Sequence, residues 1–473
     1  MIRRGTRPVS IGKKGVGVGP LRNVTTRSWG DLKVSGVRPL NGNGQGEATY
    51  DPAFTGNRTA PLHRWVPWIA GYSAKFVDNV LDIYNGRAVR SRVLDPFAGV
   101  GTTLLEARFH GCDTVGFEIN PWAALVSRIK LAAGIELGSD DLRRTAGSYR
   151  AFVAANPRAE RKAPAGFETR IPFFSPKVER KVLRALDFAD SMDDRWTQDA
   201  FRMALGSVMV SFSNYTYEPS LGSRPGADKP LIEDADVVGT VSRKLDQMAA
   251  DLGVLEASGT GVPTERKVHC ASFLDYASIE PGQADLAITS PPYLNNYHYV
   301  RNTRPQMWWL GLVSDAGGQK QVEMQSMGKY WQTVRAGDPV HLTFPHEELT
   351  RTLRRLRAIR ADHGVYGGKG WANYVATYFN DTYRYLSVLH SALRPGSRAI
   401  IVVGNSIVQG IPIQVDKHLF EIAEMVGFTH EATNGLRTTR VGGSILNSSV
   451  RRGAKPAGKT GLYETAVILR RLV

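Results

Sequence analysis

Four consecutive residues near the middle of the chain could hold an amino group: Ser290, Pro291, Pro292 and Tyr293. They follow the apolar run 286–289, which predicts a buried parallel strand. Two prolines in series fix the backbone and remove two amide donors, so the neighbouring carbonyls are left as acceptors. The serine hydroxyl and one carbonyl could bind the hydrogens of an exocyclic amine, while the aromatic ring covers a stacked base. These residue types therefore indicate a site for the amino group of a nucleobase.

A glycine turn earlier in the chain has the form of a nucleotide-binding turn. Residues 92–94 predict a short strand, Asp95 ends it, and a helix is expected from Thr103. Gly99 and Gly101 allow the backbone to bend tightly and to approach a ligand without a Cβ in the way. A doubly wound sheet presents its first strand end and the next helix N-terminus to nucleotide-like molecules in this manner. The spacing is not G-x-G-x-x-G and no Gly-Lys-Ser/Thr follows, so a phosphate cradle is not expected.

An acidic residue stands at the expected distance behind this turn. Residues 114–117 predict a second apolar strand, and Glu118 ends it. An acid at the tip of the second strand accepts the hydroxyls of a bound ribose. An ordinary strand–helix turn is the alternative for the glycines alone, but the turn and the acid together favour an adenosine-type ligand. Aromatic residues within 63–76 could close over an adenine ring, or could only pack a helix against the sheet.

Length, charge and cysteine content set the outer limits. The chain has 473 residues, a formal net charge of +16 and a pI near 9.8, which suggests a polyanionic partner. Its two cysteines, Cys112 and Cys270, exclude a disulfide framework and a cysteine-based zinc site, and we expect both to pack in structural elements. No segment has the roughly 18 continuous apolar residues of a membrane span, and no secretory signal is recognisable. We expect a cytoplasmic protein, of the prokaryotic cytosol or nucleoid.

Alternating strands and helices predict an α/β fold, a doubly wound Rossmann-like sheet with a largely helical insertion. Four regions are expected: a basic flexible arm (1–58), a ligand-binding half of the sheet domain (59–135), the helical insertion (136–262) and a catalytic half (263–473) with a basic insertion at about 315–370. The arm could be a solubilising tail or could contact phosphates. The insertion could recognise a target or could be a cap that buttresses the sheet.

Periodic apolar residues place helices in these regions. Within the insertion, three helices are expected, at 140–155, 177–191 and 197–212, followed by a loop at 213–226. A further helix is expected within 341–370, and it carries a basic face of Arg351, Arg354, Arg355, Arg357 and Arg360. This face could be solvated or could contact phosphates. A second basic loop is expected at 437–440 and 451–456.

The glycine turn and the Ser-Pro-Pro-Tyr motif together resemble the amino-group DNA methyltransferases, which methylate cytosine N4 or adenine N6 with S-adenosylmethionine. Residues 95–103 are similar to the cofactor motif of that family, and residues 290–293 to its catalytic motif. Further similarity is found in residues 63–76, 394–406, 422–428 and 464–469. The resemblance covers about residues 60–135, 265–310 and 370–473 and leaves the arm and the insertion uncovered.

The resemblance implies S-adenosylmethionine as cofactor and a set of contacts to it. These contacts would be made by Phe76, Asp95, Pro96, Phe97, Ala98, Gly99, Gly101, Thr102, Thr103, Glu118, Ile119, Asn120 and Ser272. The third cofactor motif departs from the family pattern, because Ala271 or Ser272 stands where an acid normally meets the adenine amino group. Asp275 from the next turn could replace that acid, or aromatic packing and the main chain could hold the adenine.

The resemblance also implies the reaction. In the family, Ser or Thr before Pro-Pro-Tyr is more usual in cytosine-N4 enzymes, and Asp or Asn in adenine-N6 enzymes, so Ser290 favours cytosine. No Pro-Cys dipeptide is present to supply the thiolate that carbon-5 methylation needs, so we expect direct transfer to the amine of an extruded base. The next residues could line the pocket for that base, or could form a plain surface loop: Asn295, Asn296, Tyr297, His298 and Arg301.

Four functions are compatible with the sequence. The first is a site-specific DNA cytosine-N4 methyltransferase that acts on double-stranded DNA, with a cognate restriction endonuclease as a further partner and no metal. The second is a DNA adenine-N6 methyltransferase. The third is an RNA amino-group methyltransferase, although such relatives usually carry Asp-Pro-Pro-Tyr and an added RNA-binding module. The fourth, a nucleic-acid-binding protein without catalysis, is disfavoured by the intact Ser-Pro-Pro-Tyr motif, the glycine turn and Glu118.

Overall fold

The computed structural model describes residues 54–68, 71–84, 90–217, 221–259, 264–280, 282–295, 297–439 and 462–472. Nearly all of the predicted N-terminal arm lies outside these ranges, as do Asn296, Arg440 and the predicted basic segment 451–456. None of the helices within the ranges is both long and apolar enough to span a bilayer.

Strands occur from the first glycine turn to the end of the described chain. They are β1 (Arg92–Asp95), β2 (Asp113–Phe117), β3 (Tyr215–Tyr217), β4 (Leu221–Ser223), β5 (Arg266–His269), β6 (Ala284–Thr289), β7 (Leu393–Gly404), β8 (Ser406–Val408), β9 (Ile411–Ile413), β10 (Phe428–Thr439) and β11 (Leu462–Arg471). Seven of them form one sheet in the order β10-β11-β7-β6-β1-β2-β5, while β3 with β4 and β8 with β9 form small antiparallel pairs.

The sheet is mostly parallel. Strands β5, β2, β1, β6 and β7 pair in parallel, whereas β11 runs antiparallel to β7, and β10 antiparallel to β11. The chain therefore enters β1 at the middle of the sheet, builds outward to one edge, and later returns to build the other side. This arrangement confirms the predicted α/β doubly wound fold.

Helices cover both faces of the sheet. They are α1 (Ala74–Tyr84), α2 (Thr102–Phe109), α3 (Pro121–Ala132), α4 (Ser139–Ala155), α5 (Pro176–Asp190), α6 (Arg195–Val208), α7 (Val237–Ser258), α8 (Tyr276–Ile279), α9 (Tyr299–Trp309), α10 (Ala316–Gln325), α11 (Trp331–Val334), α12 (Glu347–Ala358), α13 (Gly368–Ala392) and α14 (Val415–Met425). Alternate residues of one strand supply opposite cores: Val93 packs with residues of α1, and Leu94 packs with residues of α13 and α14.

The helices of the insertion between β2 and β5 pack into a core that they share with the sheet domain. Helices α4 to α7 share a buried apolar cluster with α3 and α9, in which Trp122 and Trp309 are each at most 3% exposed. Three of these helices lie close to their predicted positions, but α6 ends at Val208 and a 3-10 turn follows it. Helix α7 was not predicted, and the predicted loop 213–226 contains the pair β3 and β4.

The predicted basic helix is α12, and it is amphipathic. Leu349, Leu353 and Leu356 are buried at the three- and four-residue spacing of one helix face. Four of the five predicted arginines are exposed. The exception is Arg357, whose guanidinium donates to the carbonyl of Val340 at 2.8 Å. Arg360 is exposed, but it lies beyond the end of α12 and is not part of its face.

The two cysteines differ in their surroundings. Cys112 is fully buried between α1 and the sheet, as expected. Cys270 follows a strand, as expected, but it is exposed, so the expected packing role is not found there. The reason is topological, because Cys270 directly follows β5, which is the edge strand of the sheet.

Candidate active site

The glycine turn and the Ser-Pro-Pro-Tyr motif lie on the same edge of the sheet. Strands β1 and β6 are parallel neighbours, with Leu94 paired to Ala287, so their carboxyl ends lie side by side. The side chains at those ends touch, because the Thr289 hydroxyl donates to Oδ1 of Asp95 at 2.7 Å. A cavity of about 680 Å³ opens there, and both segments line it.

The turn after β1 depends on glycine at position 101. Gly101 has φ +80°, and a Cβ there would lie 2.9 Å from Oγ of Ser127. The same serine hydroxyl donates to the carbonyl of Gly99 at 2.8 Å. The left-handed backbone and the close approach of α3 together require glycine, and they hold the turn against the helix.

Glu118 is held at the cavity wall by main-chain donors. Its carboxylate accepts from the amides of Gly99 at 2.8 Å and Asn120 at 2.7 Å. Burial raises the pKa of Glu118 to about 7, against the effect of these two hydrogen bonds. A carboxylate has about four lone-pair sites, so the group keeps acceptor capacity for ligand hydroxyls.

Asn120 orients the start of α3 behind Glu118. Its side-chain oxygen accepts from the amide of Trp122 at 3.1 Å, as an N-cap. Its amide group donates to the hydroxyl of Thr303 on α9 at 2.7 Å. The residue therefore ties the cofactor half of the sheet domain to the helix that follows the catalytic motif.

Asp95 lies behind the turn and not in the cavity wall. It is fully buried, and burial raises the pKa of Asp95 to about 6. Oδ1 accepts from the Thr289 hydroxyl and from the amide of Phe97, at 3.1 Å. Oδ2 has no hydrogen-bond partner in the part of the chain that the structure describes. Asp95 thus shapes the turn by joining the ends of β1 and β6.

Tyr293 of the catalytic motif is partly exposed in the cavity wall, with its ring against β7. A Cβ on Gly404 would lie 3.2 Å from two ring carbons of Tyr293, so glycine leaves room for the ring. The hydroxyl groups of Ser290 and Tyr293 are 3.5 Å apart. Burial raises the pKa of Tyr293, so its phenol is neutral. The following residues are fixed by Ser406, whose hydroxyl donates to the carbonyl of Leu294.

The segment after the motif forms one side of the cavity. Asn295, Tyr297, His298 and Arg301 line it, while Asn296 lies outside the described residues. The imidazole of His298 stacks on Tyr330 with centroids 4.5 Å apart. Burial lowers the pKa of His298 to about 4, so the ring is neutral at pH 7. Its Nδ1 accepts from the Arg301 amide at 3.2 Å and caps α9.

The structure brings most of the predicted cofactor residues to this cavity. Those in its wall are Pro96, Phe97, Ala98, Gly99, Thr102, Glu118, Ile119, Asn120 and Ser272. Three others, Asp95, Gly101 and Thr103, are buried in or behind the turn. Asp275 is not in the wall, where Ala271 and Ser272 are found instead. The structure therefore does not place Asp275 where it could replace the acid of the third motif.

Phe76 is the predicted contact that the structure places elsewhere. It is 1% exposed and packs in the core between α1 and the sheet. Two aromatic residues from the same stretch, Trp68 and Tyr72, line the cavity instead. Phe76 lies inside α1 on its buried face, whereas Tyr72 precedes the helix. The start of α1 at Ala74 separates Phe76, which lies inside the helix, from Trp68 and Tyr72, which precede it and line the cavity.

Sequence reasoning missed two ion pairs at the cavity, one with both partners in its wall and one with only the acid there. Arg437 on β10 forms a bidentate pair with Glu464 on β11, at 2.7 and 2.8 Å. Asp381 on α13 accepts from Lys329 at 2.9 Å, with side chains 8% and 14% exposed. These partners are 27 and 52 positions apart in the chain. Only the fold brings them together, and Arg437 lies in strand β10, not in the basic loop predicted to begin there.

The residues of the cavity fit S-adenosylmethionine. Glu118 offers a carboxylate with free lone pairs to ribose hydroxyls, and the turn at Gly99 exposes main chain without a Cβ. Aromatic rings that could cover a purine, among them Phe97 and Phe117, share the wall with Glu118. No phosphate-binding lysine follows the turn, which suits a nucleoside ligand better than a nucleotide.

The chain is similar to proteins named type II methyltransferases. It is 24% identical over 396 residues to M.AvaI from Nostoc sp. and to M.AvaI from Anabaena variabilis. It is 21% identical over 415 residues to M.BsoBI from Geobacillus stearothermophilus. These alignments cover 80% of this chain and 80–81% of the relatives. No model of a protein family matches the chain.

Solved structures are more distant. TrmN from Thermus thermophilus gives a TM-score of 0.29 at 10% identity, over 88% of this chain and 53% of TrmN. The rRNA methyltransferase aviRa from Streptomyces viridochromogenes gives 0.28 at 9% identity, over 89% of this chain and 94% of aviRa.

The sequence motifs, the geometry of the cavity and the similarity to known proteins all indicate the same activity. The sheet brings the glycine turn and the Ser-Pro-Pro-Tyr motif to one cavity, and the similarity to type II methyltransferases extends over four fifths of the chain. The protein is a methyltransferase, and its cofactor is S-adenosylmethionine. Its motifs resemble those of the amino-group DNA methyltransferases, and its sequence is similar to the type II methyltransferases M.AvaI and M.BsoBI.

Proposed function

We propose that the protein transfers the methyl group of S-adenosylmethionine to the exocyclic N4 of cytosine at specific sites in DNA. The observation that carries this proposal is one continuous cavity, lined by Gly99 and Glu118 at one side and by Ser290 and Tyr293 at the other. A donor and an amine bound in one cavity react without a separate encounter, which removes much of the entropic barrier.

The cofactor side of the cavity would be formed by β1, β2 and the turn before α8. Glu118 would accept hydrogens from the ribose hydroxyls, and the main chain from Pro96 to Gly99 would follow the ligand closely. Ser272 would lie near the base of the ligand, with Phe97 and Phe117 as aromatic walls. When bound, S-adenosylmethionine supplies the electrophilic methyl group.

The catalytic motif would make the amine a better nucleophile. The lone pair of an exocyclic amine is delocalised into the ring, so the amine is a poor nucleophile in the ground state. The Ser290 hydroxyl and the Pro291 carbonyl would accept the two amino hydrogens, draw the nitrogen toward tetrahedral geometry and disperse positive charge as it develops. The Tyr293 ring, backed by Gly404, would hold the base face in place. Pro292 keeps the loop rigid.

The choice of cytosine rests on Ser290. A neutral hydroxyl stands where adenine-N6 enzymes of the family usually have Asp or Asn. The neutral, aromatic surroundings of Tyr297, His298 and Tyr330 suit an uncharged base, cytosine and adenine alike, because burial keeps His298 unprotonated. Adenine N6 in DNA is the alternative target, and an amino group in RNA is the second alternative.

Double-stranded DNA as substrate is supported by charge. The net charge is +16, and exposed arginines occur on α12 and on the insertion. Cationic side chains near phosphates release counterions and supply the sequence-independent part of DNA affinity. The target base must leave the duplex to enter this cavity. We also propose a restriction endonuclease of the same specificity as a cellular partner, because the similar proteins are named type II methyltransferases.

A nucleoside digest tests this function. Purified protein is incubated with methyl-labelled S-adenosylmethionine and genomic DNA or total RNA, and the products are digested to nucleosides. Label in N4-methylcytosine from DNA is expected. Label only in N6-methyladenine would replace cytosine by adenine, and label only in RNA would overturn the DNA assignment.

A further inference from the structure

A second cavity adjoins the active site. Its volume is about 600 Å³, and its walls are residues 167–170, the strands β3 and β4, and the start of α9. Arg301 on α9 lines both this cavity and the active-site cavity. The two cavities therefore meet at the Arg301 side chain. They lie on the side of the sheet domain where the insertion packs.

The second cavity carries positive charge. Arg170, Arg301 and Arg304 line it, against the single acid Glu168. Arg304 is held in place, since it donates to the Glu168 carbonyl at 2.8 Å and lies 4.9 Å from the Phe167 ring centre. Arg301 donates to a carbonyl of β4 at 3.2 Å.

Arg170 differs from the other two arginines. It is exposed, and it forms no hydrogen bond or ion pair with any residue that the structure describes. The hydroxyl side chains of Thr216 and Ser223 share the same walls. Cationic and hydroxyl donors without carboxylate partners suit a ligand with several anionic oxygens.

The walls of this cavity are coupled to the catalytic motif. Asn302 on α9 accepts from the Leu221 amide at 2.8 Å, and its carbonyl accepts from the Tyr217 hydroxyl at 2.8 Å. Helix α9 begins at Tyr299, and Tyr293 of the catalytic motif lies in the same loop just before it. A ligand held against β3 and β4 would therefore be positioned relative to the active site through one short helix.

We propose that the second cavity binds the sugar–phosphate backbone of the DNA strand that carries the extruded base. This inference rests on the proposed function. An extruded nucleotide remains joined to its strand, so its flanking phosphates must lie at the mouth of the cavity that holds the base. Arg301 contacts the phosphate next to that nucleotide, and Arg170 contacts a phosphate farther along the same strand. Such contacts fix the register of the protein on DNA without reading sequence.

Substitution of Arg170 tests this assignment. Arg170→Ala should weaken binding of the cognate duplex about three- to tenfold and lower the salt dependence of log K by about one unit. Arg170→Lys should restore most of the affinity, because it keeps the charge. Arg150→Ala is the matched control, since Arg150 is an exposed arginine of α4 that lines neither cavity. The affinity for S-adenosylmethionine should be the same in all three variants.

Neutral phosphates locate the contact. Single methylphosphonates placed around the target base should weaken binding of the wild-type protein at one or two positions on the methylated strand. At the phosphate that Arg170 contacts, the methylphosphonate should not weaken DNA binding of the Arg170→Ala variant any further, because that contact is already lost. Equal losses in both proteins at every position, or losses only on the opposite strand, would overturn the inference. If the wild-type protein does not methylate DNA, the proposed function fails instead, which is a separate outcome.

Discussion

At the scale of single residues, Glu118 links acidity to cofactor binding. Burial raises the pKa of Glu118 to about 7, so the carboxyl is mostly protonated at pH 6 and mostly ionised at pH 8. Ribose hydroxyls donate best to the ionised form. Bound ligand should therefore lower this pKa, and affinity should increase as the pH rises through 7.

We predict that affinity for S-adenosylmethionine rises by up to about tenfold between pH 6 and pH 8, and that Glu118→Gln removes this dependence. The variant should also bind more weakly at pH 8, because an amide offers one acceptor in place of two. Calorimetric titrations at both pH values measure the effect. The same slope in the wild-type protein and the variant would exclude Glu118 as the ribose acceptor.

Substitutions in the catalytic motif should affect turnover and not cofactor binding. Tyr293→Ala should reduce turnover about ten- to hundredfold, because a base–aromatic stack contributes roughly 1–3 kcal/mol. Ser290→Ala should also reduce turnover, since one acceptor for the amine is lost. Tyr293→Phe keeps the ring and should retain most of the activity. Binding of S-adenosylmethionine is the control, and it should change little; an equal loss of binding and turnover would contradict the assigned roles.

Gly101 is expected to be required for folding of the turn. In Gly101→Ala, the alanine must keep the left-handed backbone with φ +80°, and its Cβ lies 2.9 Å from Oγ of Ser127. The free energy of unfolding should therefore fall by about 1–3 kcal/mol. Gly147→Ala is the control. Gly147 lies within α4, where a Cβ would meet nothing within 4 Å among the described atoms, and alanine should raise stability by up to about 1 kcal/mol. Denaturant unfolding measures the stability of both variants. Similar losses of stability in Gly101→Ala and Gly147→Ala would show that the left-handed backbone at position 101 does not require glycine.

Much of the site was accessible to sequence reasoning because its signals are local. The glycine turn, Glu118 and the Ser-Pro-Pro-Tyr motif are short segments at strand ends, and each lies in the cavity wall or directly behind it. Phe76 was assigned wrongly because aromatic content alone does not tell the buried face of a helix from the segment before it.

At the scale of secondary-structure elements, buried strands were the easiest to predict. Strands β1, β2 and β6 are short apolar runs ended by polar residues, and the structure has them at or within two residues of the predicted bounds. Helix α7 was not predicted although Val241, Leu245, Met248 and Leu252 are buried at helical spacing. Strands β3 and β4 are only three residues each, which is too short for an alternating pattern to be recognised.

Helix α12 carries a prediction at this scale. The double variant Arg351→Ala/Arg354→Ala should bind DNA more weakly and lower the salt slope of log K by up to about two units if both arginines contact phosphates. Arg357→Ala should instead lower thermal stability, because its guanidinium donates to the Val340 carbonyl inside the fold. An unchanged salt slope in the double variant would show that this helix face is only solvated.

At the scale of the whole molecule, the active site is assembled from distant parts of the chain. Its cavity wall includes Trp68 near the start of the described chain and Glu464 near its end. Local patterns could not identify the pairs Arg437 with Glu464 and Lys329 with Asp381, since their geometry depends on strand and helix packing across the domain. The doubly wound topology itself was predictable, because it follows from the alternation of strands and helices.

The most direct test of the account is modification-sensitive sequencing of DNA from a host that expresses this protein. We predict N4-methylcytosine at one short sequence in cells with the wild-type protein, and none at that sequence in cells with an equal amount of Tyr293→Ala. A methyl group on cytosine carbon 5, or DNA without any modification that depends on Tyr293, would contradict the claim that this cavity methylates an extruded amino group.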